Sequence, residues 1–212
     1  KIGKATSKDQ INWDKSINFV PIGSEAPFYE CLKTNNPREW LSFRDPFLFK
    51  DGKDTHLLIC ARQPSGFVSR RGCIVLATLN KENKFVLQEK LFSPMVYDDI
   101  ECPCAIKIDG TYYIIGSIRE DLKIRYWFSD KFKGDYASHN SNVLLPKGNY
   151  AGRIVKYKDH LLVYSFYFSG NDVDTFRIIT PPKELKKDKE GKLVLKSFYK
   201  WKEKVINLVP QT

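Results

Sequence analysis

Two short runs set a carboxylate beside a proline: Phe43-Arg44-Asp45-Pro46 and Ile100-Glu101-Cys102-Pro103. Read position for position, their acids are equivalent and stand 56 residues apart. Two acids aimed at one hollow suit the cleavage of a glycosidic bond. One protonates the departing oxygen, and carboxylates attack or stabilise the oxocarbenium-like transition state. A glutamate crowded by other carboxylates in a partly dry pocket keeps its proton to higher pH, which suits a general acid. A single Asp-Pro is ordinarily a strand-start cap or turn former. Recurrence at equivalent places in successive repeats makes Asp45 and Glu101 candidates for chemistry.

The elements that must carry these acids are short strands separated by turn signals. Pro46 to Lys50, Thr55 to Arg62, Gly72 to Asn80 and Phe85 to Phe92 read as four strands, with Asp51-Gly52 as the first turn. The pattern restarts at Cys102 to Ile108, turns at Asp109-Gly110, and continues through Thr111 to Arg119, Lys123 to Ser129 and Ser138 to Leu145. Asp-Gly between alternating apolar runs is a strong hairpin signal. A third unit takes Gly152 to Tyr157, Leu161 to Phe168, Thr175 to Thr180 and Leu193 to Tyr199, with 181–192 as a lysine-rich loop. Residues 1–22 read as the outer end of an earlier unit and 23–43 as a connecting loop. Runs such as Tyr112-Tyr113-Ile114-Ile115 are short, aromatic or β-branched and bounded by turns, which excludes helices. Four-stranded units repeating at this length are the signature of propeller blades, whose innermost strands line a central channel. Three and a fraction blades leave a ring open and its edge strands exposed, so further blades are expected before Lys1.

Composition narrows the function classes. The 212 residues are 42% apolar and 14% aromatic, enough for a packed core. No apolar run reaches 18 residues, so no membrane span is expected, and no leader segment is visible. The net charge is +10, and half of that excess lies between Lys183 and Lys204, where nine lysines face four acids. A solvated surface explains it, and without a phosphate loop or a zinc-finger or RNA-recognition spacing no nucleic-acid partner is expected. Five cysteines, an odd number, argue against a complete disulfide framework. Cys60 and Cys73 fall in apolar strands and read as core thiols. Cys102 and Cys104 have no second pair or nearby histidine to complete a metal site. No metal and no cofactor is expected, and secreted, periplasmic and cytoplasmic settings all stay open.

Arg44-Asp45-Pro46 and Glu101-Cys102-Pro103 resemble the RDP and ECP motifs of glycoside hydrolase family 32, the fructosidases, invertases and levanases related to families 68 and 43. Ala5-Thr6-Ser7-Lys8-Asp9-Gln10-Ile11-Asn12-Trp13 resembles that family's outer-strand signature ATSxDxxxW. Thr55 to Arg62 with Arg71-Gly72-Cys73 is similar to the blade that carries RDP. Asn149-Tyr150-Ala151-Gly152 looks like the start of the next inner strand, and Pro182-Lys183-Glu184-Leu185 like the PREL segment at the propeller's end. The resemblance implies an all-β, five-bladed β-propeller of which roughly the last three to four blades are present. It implies a partial catalytic propeller over 1–192, with 193–212 the last propeller strand or the start of a C-terminal β-sandwich.

The same resemblance implies a retaining glycosidase acting on an oligo- or polysaccharide, with β-fructofuranosyl linkages of sucrose or fructans as substrate. Glu101 matches the acid/base, Asp45 the transition-state stabiliser and Arg44 a substrate-binding arginine. The nucleophile of that mechanism belongs to an Asn-Asp-Pro-type motif absent from these residues; Asp98-Asp99 precedes the inner strand and is a poor substitute. Cys104 stands where the family has Asp, and Arg153 where relatives place Lys one position earlier, which bears on substrate. A family 43-like arabinosidase or xylosidase is the alternative enzyme, although Arg44-Asp45-Pro46 and the PREL-like end favour the fructosidase side. A carbohydrate-binding propeller without catalysis is the alternative outside enzymes. Arg62, Ser117, Arg119, Tyr150 and Arg153 are further candidates for binding sugar, each at a strand start or a polar break in an apolar run. Trp127 reads as core.

Overall fold

The computed structural model describes residues 1–19, 22–24, 28–31, 40–167 and 178–198. The chain divides into two compact units, Lys1–Pro103 and Cys104–Thr212. Among the described residues there is no α-helix, only strands and one 3₁₀ turn at Val68–Arg70.

The first unit opens with a two-stranded ribbon, β1 (Ala5–Thr6) on β2 (Asp14–Lys15). The ATSxDxxxW-like segment is its connection. The Asp9 carboxylate accepts the backbone N–H groups of Ile11 and Asn12 and the Asn12 side-chain amide, and Ser7 Oγ donates to it. Next comes a four-stranded antiparallel sheet in chain order, β3 (Phe43–Asp51), β4 (Asp54–Arg62), β5 (Gly72–Leu79) and β6 (Phe85–Leu87). Strand side chains alternate. One face therefore gathers Leu57, Ile59 and Ala61 from β4 with Cys73, Val75 and Ala77 from β5, and Ile22 and Tyr29 cover it. Tyr29 reaches Gln88 O through its hydroxyl, at 2.6 Å.

The second sheet, largely in the second unit, runs β7 (Glu101–Ile108), β8 (Thr111–Ile118), β9 (Lys123–Ser129) and β10 (Val143–Leu145), again in chain order. Tyr112 to Ile118 is buried along its whole length, and Trp127 is buried as read. The third sheet contains β11 (Asn149–Tyr157), β12 (His160–Tyr167), β13 (Ile178–Ile179), β14 (Lys183–Lys187) and β15 (Leu193–Ser197) in the order β11-β12-β14-β15, with β13 paired to β12. Within this unit β11 passes close to β9. A Cβ added at Gly152 would lie 2.8 Å from Ile124 Cδ1, so the approach needs a glycine.

Two four-stranded sheets are thus present at the places the turn signals indicate, followed by a third sheet of five strands. One expectation fails: 181–192 is not simply a loop. Lys183–Lys187 is a strand in the body of the third sheet, pairing with both β12 and β15. Only Leu185 of its five residues is buried. Its lysines find carboxylates, Lys186 at Glu184 (3.3 Å) and Lys187 at Asp109 (3.2 Å), so a charged run is held in a sheet. Residues 175–177 of the expected strand Thr175 to Thr180 lie outside the described residues; of the rest, Ile178–Ile179 forms β13.

Candidate active site

The first strands of two sheets, β3 and β11, carry an irregularity near their starts. In β3, Arg44 pairs with Cys60 and Phe47 with Leu58, so one extra residue bulges between them. In β11, Tyr150 pairs with Phe166 and Arg153 with Tyr164, the same offset. Three non-glycine residues take left-handed backbone at the starts of β3, β7 and β11: Asp45 (φ 58°), Cys102 (φ 49°) and Ala151 (φ 51°). Bulges and left-handed residues re-aim side chains and recur beside functional sites. Each precedes Pro46, Pro103 or Gly152, and a proline at a bulge forfeits no ladder hydrogen bond.

This register corrects the equivalence read from sequence. The left-handed residue is the common element, so Asp45 corresponds to Cys102, and Glu101 to Arg44 and Tyr150. The two acids are one position out of step along their strands.

They nevertheless meet at one cation. Arg44 Nη2 donates to Glu101 Oε1 at 2.5 Å, and Arg44 Nε lies 3.9 Å from Asp45 Oδ2. Asp45 Oδ2 accepts the backbone N–H of Cys102 at 2.9 Å, and the Cys102 thiol lies 3.6 Å from the same oxygen. On its other side Arg44 contacts Asp99 Oδ2 (3.1 Å) and Ser42 Oγ (2.8 Å). Arg44 and Asp45 are partly exposed, at 31% and 24%, Glu101 less so at 14%, and Asp99 is buried at 1%. Burial opposes the Arg44 charge, but Asp99 and Glu101 outweigh that and keep it a cation. Three carboxylates around one guanidinium, two of them reaching solvent, form a polar and anionic patch suited to hydroxyl-rich ligands and to developing positive charge.

A second ionic cluster lies in the same unit. Arg62 is fully buried, held by Glu30 (2.9 Å) and Asp98 (2.9 Å) and by the carbonyl of Val68. Arg71 also reaches Glu30, at 3.3 Å. Expected to bind sugar, Arg62 instead has no exposed surface in its unit, because a buried guanidinium needs carboxylates and Glu30 supplies one from 32 residues away. Gly72 sits against the backbone here. A Cβ on it would meet Tyr97 O at 2.8 Å and Asp98 C at 3.0 Å, so β5 packs tightly on the segment leading to Glu101.

The remaining candidates lie in the second unit. Tyr150 is half-buried on β11 and pairs with Phe166. Arg153, also half-buried, lies beside the Cys104 thiol, which burial pushes up to about 11 against the opposing charge of Arg153. Arg119 is exposed just past the end of β8. Ser117 is fully enclosed in β8, opposite Ile124, with no surface exposed to a ligand. The residues that sequence reasoning missed are Ser42, Asp99 and Glu30. Only Asp99 left a trace, as an acid two positions before Glu101. All five cysteines are free thiols, and among the described residues no group of His, Cys, Asp and Glu is arranged to hold a metal ion.

No family model and no curated protein sequence matches the chain. Solved structures do. An inulosucrase from Halalkalicoccus jeotgali bound to kestose superposes with a TM-score of 0.69 at 18% identity, covering 92% of this chain and 60% of its own. The catalytic domain of a Microbacterium saccharophilum β-fructofuranosidase gives 0.68 at 15%, with 91% and 54% covered. The chain has their fold. A family 32 β-fructofuranosidase of Bombyx mori agrees, at 0.66 and 14% identity over 94% of this chain and 44% of its own. The likeness to fructosidase propellers read from the sequence therefore holds for the fold: the four-stranded sheets are propeller blades. The chain spans at most 60% of the length of these three structures.

Proposed function

We propose that this chain carries the acid/base half of a glycosidase site acting on β-fructofuranosyl linkages, as in sucrose or fructans, with retention of configuration. The observation that supports it most is the shared guanidinium: Arg44 touches both Asp45 and Glu101, on strand starts that each carry a left-handed residue. The fold shared with an inulosucrase and two β-fructofuranosidases supports the sugar class and favours it over an arabinosidase or xylosidase.

In this reading Glu101 gives a proton to the leaving oxygen and then takes one from the incoming water or sugar hydroxyl. Asp45, oriented by the Cys102 N–H, faces the sugar hydroxyls and the positive charge that grows as the bond breaks. Arg44 orients Glu101 and shares in binding the sugar. The nucleophile would be a third carboxylate outside these 212 residues. Asp99 is poorly suited to that part, being buried and bound by Arg44 and Ser42. Tyr150, Arg119 and Arg153 are proposed as further sugar contacts. The catalytic propeller is taken as 1–192 in part, and the pairing of β15 with β14 supports 193–197 as its last strand.

The test is the full-length protein incubated with sucrose, levan and inulin. Released fructose or growing fructan supports the proposal. Binding of these sugars without turnover of any glycoside would favour a carbohydrate-binding propeller instead.

A further inference from the structure

Ser42, Arg44 and Asp99 close a ring of hydrogen bonds behind Glu101. Ser42 Oγ donates to Asp99 Oδ2 at 3.0 Å, Arg44 Nη2 donates to the same oxygen at 3.1 Å, and Arg44 Nη1 donates to Ser42 Oγ at 2.8 Å. The serine hydroxyl thus gives one hydrogen bond and receives another. Both Ser42 and Asp99 are 1% exposed, so the ring lies on the inner side of the guanidinium, where a ligand does not reach. On the outer side the same Nη2 holds Glu101 Oε1 at 2.5 Å. A buried carboxylate is costly unless charged and polar partners surround it. Here those partners are the guanidinium that touches Glu101 and a hydroxyl that fixes the plane of that guanidinium.

We infer that Asp99 and Ser42 are positioning residues that act through Arg44 to set the Glu101 carboxyl for proton transfer to the departing sugar oxygen. Without them the guanidinium keeps its own flexible chain, the longer approach to Asp45 and the acid it should orient. This rests on the reading of Glu101 as the acid/base. It extends the site inward to two side chains that no sugar touches.

Such a role leaves a mark that loss of folded protein does not. A misplaced proton donor slows cleavage when the leaving group is a sugar alkoxide, and matters little when it is an acidic phenol that departs without help. The experiment uses the full-length protein and its Ser42→Ala, Asp99→Asn and Glu101→Gln variants, with sucrose and a nitrophenyl β-fructofuranoside as substrates. Asp99→Asn and Ser42→Ala are expected to lose about 10- to 100-fold in kcat/KM on sucrose, which reports the bond-cleaving step alone and falls by the scale of a misplaced catalytic group, and less than about 3-fold in kcat/KM on the aryl fructoside. Glu101→Gln should show the same contrast, larger. Equal losses on both substrates, or none on either, would overturn the inference while Glu101→Gln keeps its contrast. If Glu101→Gln shows no contrast, the acid/base reading itself fails and the inference with it. Should Asp99→Asn not fold, Ser42→Ala, which removes one oxygen, decides the matter.

Discussion

The backbone N–H of Cys102 lies 2.9 Å from Asp45 Oδ2, so the residue that follows one candidate acid orients the other. Both residues hold left-handed backbone, and each precedes a proline. The bond is therefore made between two strained strand starts, and it gives Asp45 a fixed direction without using a second side chain.

Asp45→Asn keeps an acceptor for that N–H and tolerates left-handed backbone, so the fold should stand, with a melting temperature within about 3 °C of the parent. Catalysis should not stand. Loss of the charge facing the oxocarbenium is expected to lower kcat on sucrose by about 10²-fold or more. Asp45→Val adds a β-branched side chain to a left-handed position and strands the Cys102 N–H, costing about 2–4 kcal/mol by urea unfolding. Parental turnover in Asp45→Asn would remove this residue from the mechanism.

Arg62 tests the opposite behaviour. Replacing it with Met takes from the buried Glu30 its nearer guanidinium, leaving Arg71 at 3.3 Å, and frees the partly exposed Asp98, and the loss should be about 2–4 kcal/mol in equilibrium denaturation. The double variant Arg62→Met with Glu30→Gln should recover part of that loss, because the buried charge left with the longer Arg71 contact alone is removed.

The thiols sort by burial. Burial raises Cys60 well above an ordinary thiol, Cys73 to about 12 and Cys104 to about 11, while Cys31 and Cys102 are only half-buried. A thiolate is the reactive form. In the native protein at pH 8, a maleimide should modify Cys31 and Cys102 first by mass spectrometry, and all five only after denaturation. Early labelling of Cys73 would contradict the core seen in the first sheet.

Asp9 supplies a pH test. The N–H groups of Asn12 and Ile11, then the Asn12 amide and the Ser7 hydroxyl, hold its carboxyl below the ordinary carboxylate range. A depressed folded value means the charged form supports the turn. That support is complete above the unfolded value, near pH 4, and is lost as pH falls through the lower folded value. The Ile11 and Asn12 amide resonances should move only well below pH 4, and in Asp9→Ala the turn should be loosened at every pH. An Asp9 titration at its ordinary value would show that these bonds do not persist in solution.

What the sequence made legible follows from what is local. Turn dipeptides such as Asp109-Gly110 and apolar runs such as Tyr112 to Ile118 mark strands by themselves, so the four-stranded units stood out. β14 did not, because Lys-Glu-Leu-Lys-Lys reads as solvated until Asp109 and the flanking strands are seen beside it. The register was passed over too: Asp45 and Glu101 stood out as the acids of the two runs, but Pro46 follows Asp45 and Pro103 follows Cys102, and the backbone angles agree that Cys102 is the counterpart of Asp45. Arg62 was misread because its partner Glu30 is remote in sequence, and Ser42 and Asp99 because their importance lies in the arginine they share.

Glu101→Gln in the full-length protein bears most directly on the central claim. The account expects turnover of sucrose or fructan to fall at least about 10²-fold, the scale of a lost general acid. Calorimetric affinity for the same sugar should stay within a few-fold of the parent. Turnover at the parental rate, with the substitution verified and the protein folded, would contradict it.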